Sequence, residues 1–168
     1  FPHLTVIENV RVALQRPLGT SFHFWKPESS LAVLDDRAMR VLAEVGLGDY
    51  AGLLAVELPY GRKRALEIAT TLALEPEMLL LDEPMAGMGR EDIGRISGLI
   101  RKISRNRTVL MVEHNMSVVA DLSDRITVLA RGEVLAEGSY AEVSRNSQVI
   151  DAYIGTGLDA DEAEAQHG

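Results

Sequence analysis

Apolar positions along the chain follow two rhythms, and the change between them divides it. Thr5-Val6-Ile7-Glu8 fits a capping box, in which a Thr hydroxyl and a Glu three residues later satisfy each other's orphan amides, so a helix is predicted over Val6 to Leu14. Arg16 to Ser30 carries Pro17, Gly19, Pro27 and the only Trp, and predicts an irregular connection. A second helix follows over Asp36 to Val45, with Met39, Leu42 and Val45 on one face, so the chain up to about Glu57 is expected to be all-helical. Beyond it, Met78-Leu79-Leu80-Leu81 and Thr108-Val109-Leu110-Met111-Val112 are short apolar runs of the kind found in buried parallel strands. Between them Ile93, Ile96, Ile100 and Ile103 repeat at helical spacing within Glu91 to Ser104. Strand, helix and strand form a βαβ unit with a right-handed crossover, and the core is α/β. Arg125 to Leu129 and Val134 to Glu137 predict two strands joined by a tight turn at Arg131-Gly132. Ser139-Tyr140-Ala141-Glu142 is a second capping box, opening a short helix before a last one around Gln148 to Ile154. Asp159 to Gly168 is acidic, lacks an apolar face, and is expected to be a frayed tail.

Composition narrows this picture. A length of 168 residues suits one domain, or one domain plus a small appendage, with a substantial core, and 46% hydrophobic with 25% charged residues excludes wholesale disorder. The absence of cysteine rules out disulfides and thiolate metal sites. No apolar run approaches the roughly 20 residues a membrane-spanning helix needs. The opening Phe1-Pro2-His3 has no initiator Met or basic n-region, so it is expected to be the cut edge of something longer and not a signal peptide. A net charge of −8 argues against a general nucleic-acid partner, whose binding depends on neutralising phosphates.

Three segments carry candidate chemistry. Leu79-Leu80-Leu81-Asp82-Glu83-Pro84 sets two adjacent carboxylates at the end of an apolar strand, where open α/β sheets collect ligands. Alternate strand residues point opposite ways, so one acid can serve a Mg²⁺ shell while the other faces a water; the alternative is a strand ending in solvated acids. His114 ends the next strand and could donate to a phosphate oxygen, or simply be a solvated terminal residue; His3, His23 and His167 lack acidic company and are taken as surface residues. Leu58-Pro59-Tyr60-Gly61-Arg62-Lys63-Arg64 opens a helix over Ala65 to Leu74 with Leu66, Ala69, Leu72 and Ala73 on its apolar face. Its first turn suits an anion, or is only a solvated basic turn.

Together these segments resemble the ABC transporter ATPase family in order, spacing and most of their letters. By that resemblance Leu58 to Arg62 is the signature segment and Leu79 to Glu83 the Walker B strand with the catalytic glutamate. Ala86-Gly87-Met88-Gly89 is then the D-loop and His114 the switch histidine. Phe1 to Val6 with Glu8-Asn9-Val10 is similar to the segment after the Q-loop. Asp82-Glu83-Pro84, Glu113-His114-Asn115-Met116 and Val149 to Gly155 are similar to the branched-chain amino acid importers, with urea and lipopolysaccharide transport ATPases as close relatives. The resemblance implies the C-terminal part of a P-loop NTPase-like domain: a helical signature subdomain over 1–57, an α/β core segment over 58–155 and an acidic tail over 156–168. It further implies ATP and Mg as cofactors, with Pro59, Tyr60, Gly61 and Arg62 at the nucleotide, Asp82 holding Mg through water, and Glu83 and His114 catalytic. The implied partners are a second ATPase subunit, in a homo- or heterodimer, and a membrane permease subunit. The implied place is peripheral, on the cytoplasmic face of the cell membrane.

Three departures qualify the match. Pro59 stands where the family's signature Ser is usual, removing a hydroxyl and an amide, and Arg62 stands where Gln or Glu is common, so phosphate contact is expected to shift to Gly61 and Arg62. Gly89 occupies a D-loop position that is often Asp, which puts the cross-dimer contact in question. No G-x-x-x-x-G-K-[ST] occurs, so the primary nucleotide site is expected to lie outside these 168 residues. A non-transport ATPase of the same superfamily and a truncated, non-catalytic module remain as rivals.

Overall fold

The computed structural model describes residues 1–15 and 28–152, with side chains described from Leu34 onward in the second segment. The tail expected over residues 156–168 lies outside the described residues. Two compact units emerge, one over residues 1–113 and one from His114 onward.

The first unit opens with α1 (Val6–Gln15), launched by the expected capping box: the Thr5 hydroxyl donates to Glu8 Oε2 at 2.7 Å, and the Glu8 amide donates back to Thr5 Oγ1 at 3.3 Å. Asn9, buried within α1, donates through Nδ2 to the carbonyls of Phe1, Leu4 and Thr5, which folds the entering chain onto the helix. α2 (Glu28–Glu44) begins earlier than the sequence rhythm predicts. Residues 16–27 of the expected irregular connection lie outside the described residues, and its last three, 28–30, are helical. Its core face is also displaced: Leu34, Ala38 and Leu42 are buried at four-residue spacing, with Val45 beyond the helix end, while Met39 is 39% exposed. Leu34 and Ala38 complete a stripe on which Met39 does not lie. Two short 3₁₀ turns (Gly48–Tyr50 and Ala55–Glu57) lead into α3 (Tyr60–Leu72), which packs against both α1 and α2.

α3 starts five residues before the expected Ala65. Pro59, at φ −56° and ψ 154°, takes the N-cap position without a side-chain capping bond, and Tyr60-Gly61-Arg62-Lys63 form the first turn. Ala65, Leu66, Ile68, Ala69 and Leu72 line its buried side. The chain then enters β1 (Met78–Asp82), crosses through α4 (Arg90–Ser104) and returns as β2 (Thr108–Val112), parallel to β1 with Met78 opposite Thr108 and Asp82 opposite Val112. The expected strand, helix, strand order and the parallel pairing are both present. α4 buries Ile96, Leu99, Ile100 and Ile103, and its acids in the first turn and bases in the last suit the helix dipole. The helical part is tied to this unit by Arg37 with Glu75 at 2.5 Å and by Lys102 Nζ donating to the Glu44 carbonyl at 2.9 Å. The expectation of buried strands is met on one face only: among the described residues Leu79 is buried, while Met78, Leu80, Leu110 and Val112 on the opposite face are exposed.

The second unit holds α5 (Met116–Leu122), an antiparallel pair β3 (Ile126–Ala130) and β4 (Glu133–Gly138), α6 (Tyr140–Val143) and a helical stretch over 147–152. Arg131 and Gly132 both have positive φ, 52° and 81°, as a two-residue hairpin turn of this hand requires. The Ser139–Glu142 capping box forms as expected. α5 has no counterpart among the expected elements. Its signal is Asn115, whose side chain accepts from the Ser117 and Val118 amides ahead of the buried Val118 and Val119.

Candidate functional site

β1 ends at Asp82, and the next residue leaves the strand at once because its backbone is left-handed: Glu83 has φ 40°, a region sparsely populated by residues with a Cβ. Both acids are exposed at the carboxyl edge of the parallel pair. The Glu83 amide donates to the Val112 carbonyl at 2.9 Å, extending the strand pairing by one bond, and the Glu83 carbonyl accepts from the Ala86 amide at 3.1 Å. Glu113, one residue beyond β2, accepts from the Met85 amide at 3.2 Å. The turn over residues 83–89 is thus held from the β2 side through Val112 and Glu113. Pro84 and Met85 are buried beneath it, and Gly87, at φ 71°, reverses it.

The start of α3 reaches the same turn from the other side. Tyr60 donates its hydroxyl to the Ala86 carbonyl at 3.2 Å, and the place a Cβ on Gly87 would occupy is 3.8 Å from that hydroxyl oxygen. Gly61 is buried against the Asp92 carboxylate in the first turn of α4. The guanidinium of Arg62 lies 4.1 Å from the ring centroid of Tyr50, so this cation stacks on the helical part. Pro59, Tyr60 and Gly61 therefore adjoin the turn that follows Asp82 and Glu83, while Arg62 faces Tyr50. His114 is exposed, directly follows Glu113 and begins the second unit.

Asp82 fits a role in a cation's shell. Among the described residues no hydrogen bond or ion pair involving its exposed carboxylate is found, and Mg²⁺ typically takes one or two carboxylates, keeping water and substrate phosphates for its other positions. Among the described residues there is no cluster of three or more acidic or His side chains placed to hold a metal by themselves.

The sequence points to Glu83 but not to what holds it. Glu113 and Tyr60 act on the turn across 28 and 26 residues of chain, and no local spacing rule connects them.

The family model for "ABC transporter" matches residues 1–86, which span the helical part, all of α3, β1 and the two acids. The chain belongs to the ABC transporter family. A second model, "Branched-chain amino acid ATP-binding cassette transporter", matches residues 133–159. The chain is 38% identical over 165 residues to the high-affinity branched-chain amino acid transport ATP-binding protein LivG of Salmonella typhimurium. It is 37% identical over 162 residues to the corresponding BraF of Pseudomonas aeruginosa. Each alignment covers 92% of this chain and 64% of the relative, so the chain spans less than two thirds of these relatives' length. Among solved structures, MJ1267, an ATP-binding cassette of an ABC transporter, in its ADP conformation, superposes with a TM-score of 0.74 at 26% identity, covering 92% of this chain and 64% of that one. The α/β fold expected from the sequence is that of this ATPase-type family.

Proposed function

We propose that this ABC-family chain supplies the hydrolytic acids and the signature segment of an ATP-hydrolysing transporter subunit that serves branched-chain amino acids. The observation that carries the reading is the Asp82-Glu83 pair at the carboxyl edge of β1, with Glu83 turned off the strand by its left-handed backbone. The names of the LivG and BraF relatives, together with the carboxy-terminal family match, support the substrate class.

In this reading Glu83 accepts a proton from the attacking water, and Asp82 holds a Mg²⁺ ion through water. The metal, when bound, supplies charge stabilisation to the phosphates. Proton acceptance by a fixed carboxylate and orientation of the water are the chain's own share of the catalysis, and the held turn over 83–89 suits both. The segment Pro59, Tyr60, Gly61 and Arg62 meets the nucleotide of a second ATPase subunit, homologous or identical, with Pro59 and Tyr60 exposed at its front and Arg62 having to leave the Tyr50 ring to reach a phosphate. His114, assigned from its place in the sequence, donates to a phosphate oxygen. The helical part over residues 1–57 docks on a membrane permease subunit, and the subunit works peripherally at the cytoplasmic face of the membrane. Among the described residues no helix is long and apolar enough to cross a membrane. A non-catalytic module is the second reading, favoured by Pro59 at the signature position where Ser is usual and by Gly89 at the D-loop position that is often Asp.

A chimera that places the amino-terminal part of the Escherichia coli LivG relative ahead of Phe1 separates the two. It should release phosphate from ATP. Glu83→Gln should cut release by about 10² to 10⁴ with ATP binding retained, because the amide keeps the shape but cannot accept the proton, and His114→Ala should also lower turnover severely. Near-parental release by Glu83→Gln would remove Glu83 from the mechanism, and an inactive chimera that still binds ATP would favour the non-catalytic module.

A further inference from the structure

A hydrogen-bond relay crosses the first unit through three consecutive acceptors. The Tyr60 hydroxyl donates to the Ala86 carbonyl at 3.2 Å, the Ala86 amide to the Glu83 carbonyl at 3.1 Å, and the Glu83 amide to the Val112 carbonyl at 2.9 Å. The amide and carbonyl of Ala86, and those of Glu83, belong to successive peptide groups, so the three bonds are linked mechanically, each pinning one side of a residue whose other side is pinned by the next. Glu83 sits in the middle with an unfavourable φ of 40°, a conformation that persists only where its surroundings over-determine it. Val112 and Glu113 restrain the turn from the β2 side. On the opposite side, Tyr60 supplies both a hydrogen bond to Ala86 and a ring against Gly87, from the first turn of α3.

We infer that Tyr60 is a positioning residue: its hydroxyl holds the carbonyl side of Ala86, whose amide side holds the Glu83 carbonyl, so that displacement of the first turn of α3 is felt through the backbone of residues 83–86 at that carboxylate. What the carboxylate does rests on the function proposed above; the tether does not, and the two fail separately. The tether also gives position 60 a specific requirement, an aromatic ring with a donor at its para position, which Phe meets only in part.

The test is Tyr60→Phe in the 168-residue chain, which removes the donor and keeps the ring. Amide hydrogen exchange should rise roughly three- to tenfold at Ala86 and Met88, the scale of one hydrogen bond's net contribution. The amides of Leu79 to Leu81 and Val109 to Met111 should stay within about twofold of the parent, since strand pairing lies outside the relay. The ¹³C carbonyl resonance of Ala86 should move upfield as its acceptor role is lost, a signature that general loosening does not produce. Tyr60→Ala should raise turn exchange further, because the contact with Gly87 goes as well. Unchanged Ala86 exchange and carbonyl shift in Tyr60→Phe would overturn the inference. So would equal acceleration of the strand amides, which would make Tyr60 a general packing residue, and so would loosening in Tyr60→Ala alone, which would leave the hydroxyl without a part.

Discussion

Gly61, the second residue of α3, is the position where the structure makes the sharpest numerical forecast. A Cβ built there would lie 2.7 Å from Oδ2 of Asp92 and closer still to its Cγ and Oδ1, well inside contact distance. In Gly61→Ala the Asp92 side chain must therefore swing away, leaving its 2.6 Å pairing with Arg95. Crowding of this kind typically costs about 1–3 kcal/mol. The lost ion pair is partly exposed and adds only about 0.3–0.5 kcal/mol. Against this, alanine is a better helix former than glycine by up to about 1 kcal/mol. The net expectation is a loss of roughly 1 kcal/mol. In an Asp92→Ala background the obstacle is gone, and the same Gly61→Ala change should stabilise by up to about 1 kcal/mol. The coupling between the two positions is then about 1–3 kcal/mol, readable as a double-mutant cycle from urea unfolding followed by far-ultraviolet circular dichroism, provided the m-value stays constant. If the two substitutions add within about 0.5 kcal/mol, Gly61 and Asp92 are not in the contact described, and the packing of α3 on α4 must be revised.

Two further outcomes follow from features already described. The Glu8 carboxyl is held below the ordinary carboxylate range by hydrogen bonds from the Thr5 hydroxyl and then the Thr5 amide. Its contribution to stability is therefore complete above the unfolded carboxyl value, about 4.3, and is lost as pH falls through the lower folded value. Thr5→Val should raise the Glu8 midpoint in a carboxyl-carbon NMR titration while leaving Glu142, held low by the Ser139 amide and hydroxyl, where it was; no movement of Glu8 would remove the hydroxyl as the main cause. Titration calorimetry of the 168-residue chain with Mg-ATP should show weak binding or none, because the chain has no phosphate-cradling glycine-rich loop; a dissociation constant near 1 μM, worth about 8 kcal/mol, would locate a primary nucleotide site within these residues.

What the sequence made legible was whatever is written in local spacing. The isoleucine repeat of α4, the two apolar runs of the parallel pair, both capping boxes and the Arg131-Gly132 turn each depend on neighbours within a few residues, and each formed. Element starts were less legible: α3 begins at Tyr60, after Pro59 in extended backbone, with first-turn residues Tyr60 to Lys63 that a search for apolar periodicity overlooks. α2 misled for a related reason, since Met39 sits at helical spacing from Leu42 but off the stripe that Leu34 and Ala38 complete. At the site, Asp82 and Glu83 announced themselves by adjacency. Tyr60 and Glu113 reach the same turn only through tertiary folding, and Arg62, whose charge invites a phosphate, spends it on the ring of Tyr50.

The strand pair β1 and β2 carries a practical consequence for anyone handling the chain. Leu80 is 71% exposed, and Met78, Leu110 and Val112 are each more than half exposed, so four large apolar side chains share one sheet face in contact with solvent. Among the described residues each of these strands pairs only with the other, which leaves an outer row of amides and carbonyls on both. A greasy, hydrogen-bond-hungry ribbon of this kind is sticky. Its solubility should fall steeply with concentration, improve when Leu80 or Leu110 is replaced by Lys or Glu, and improve again when a companion polypeptide covers the ribbon.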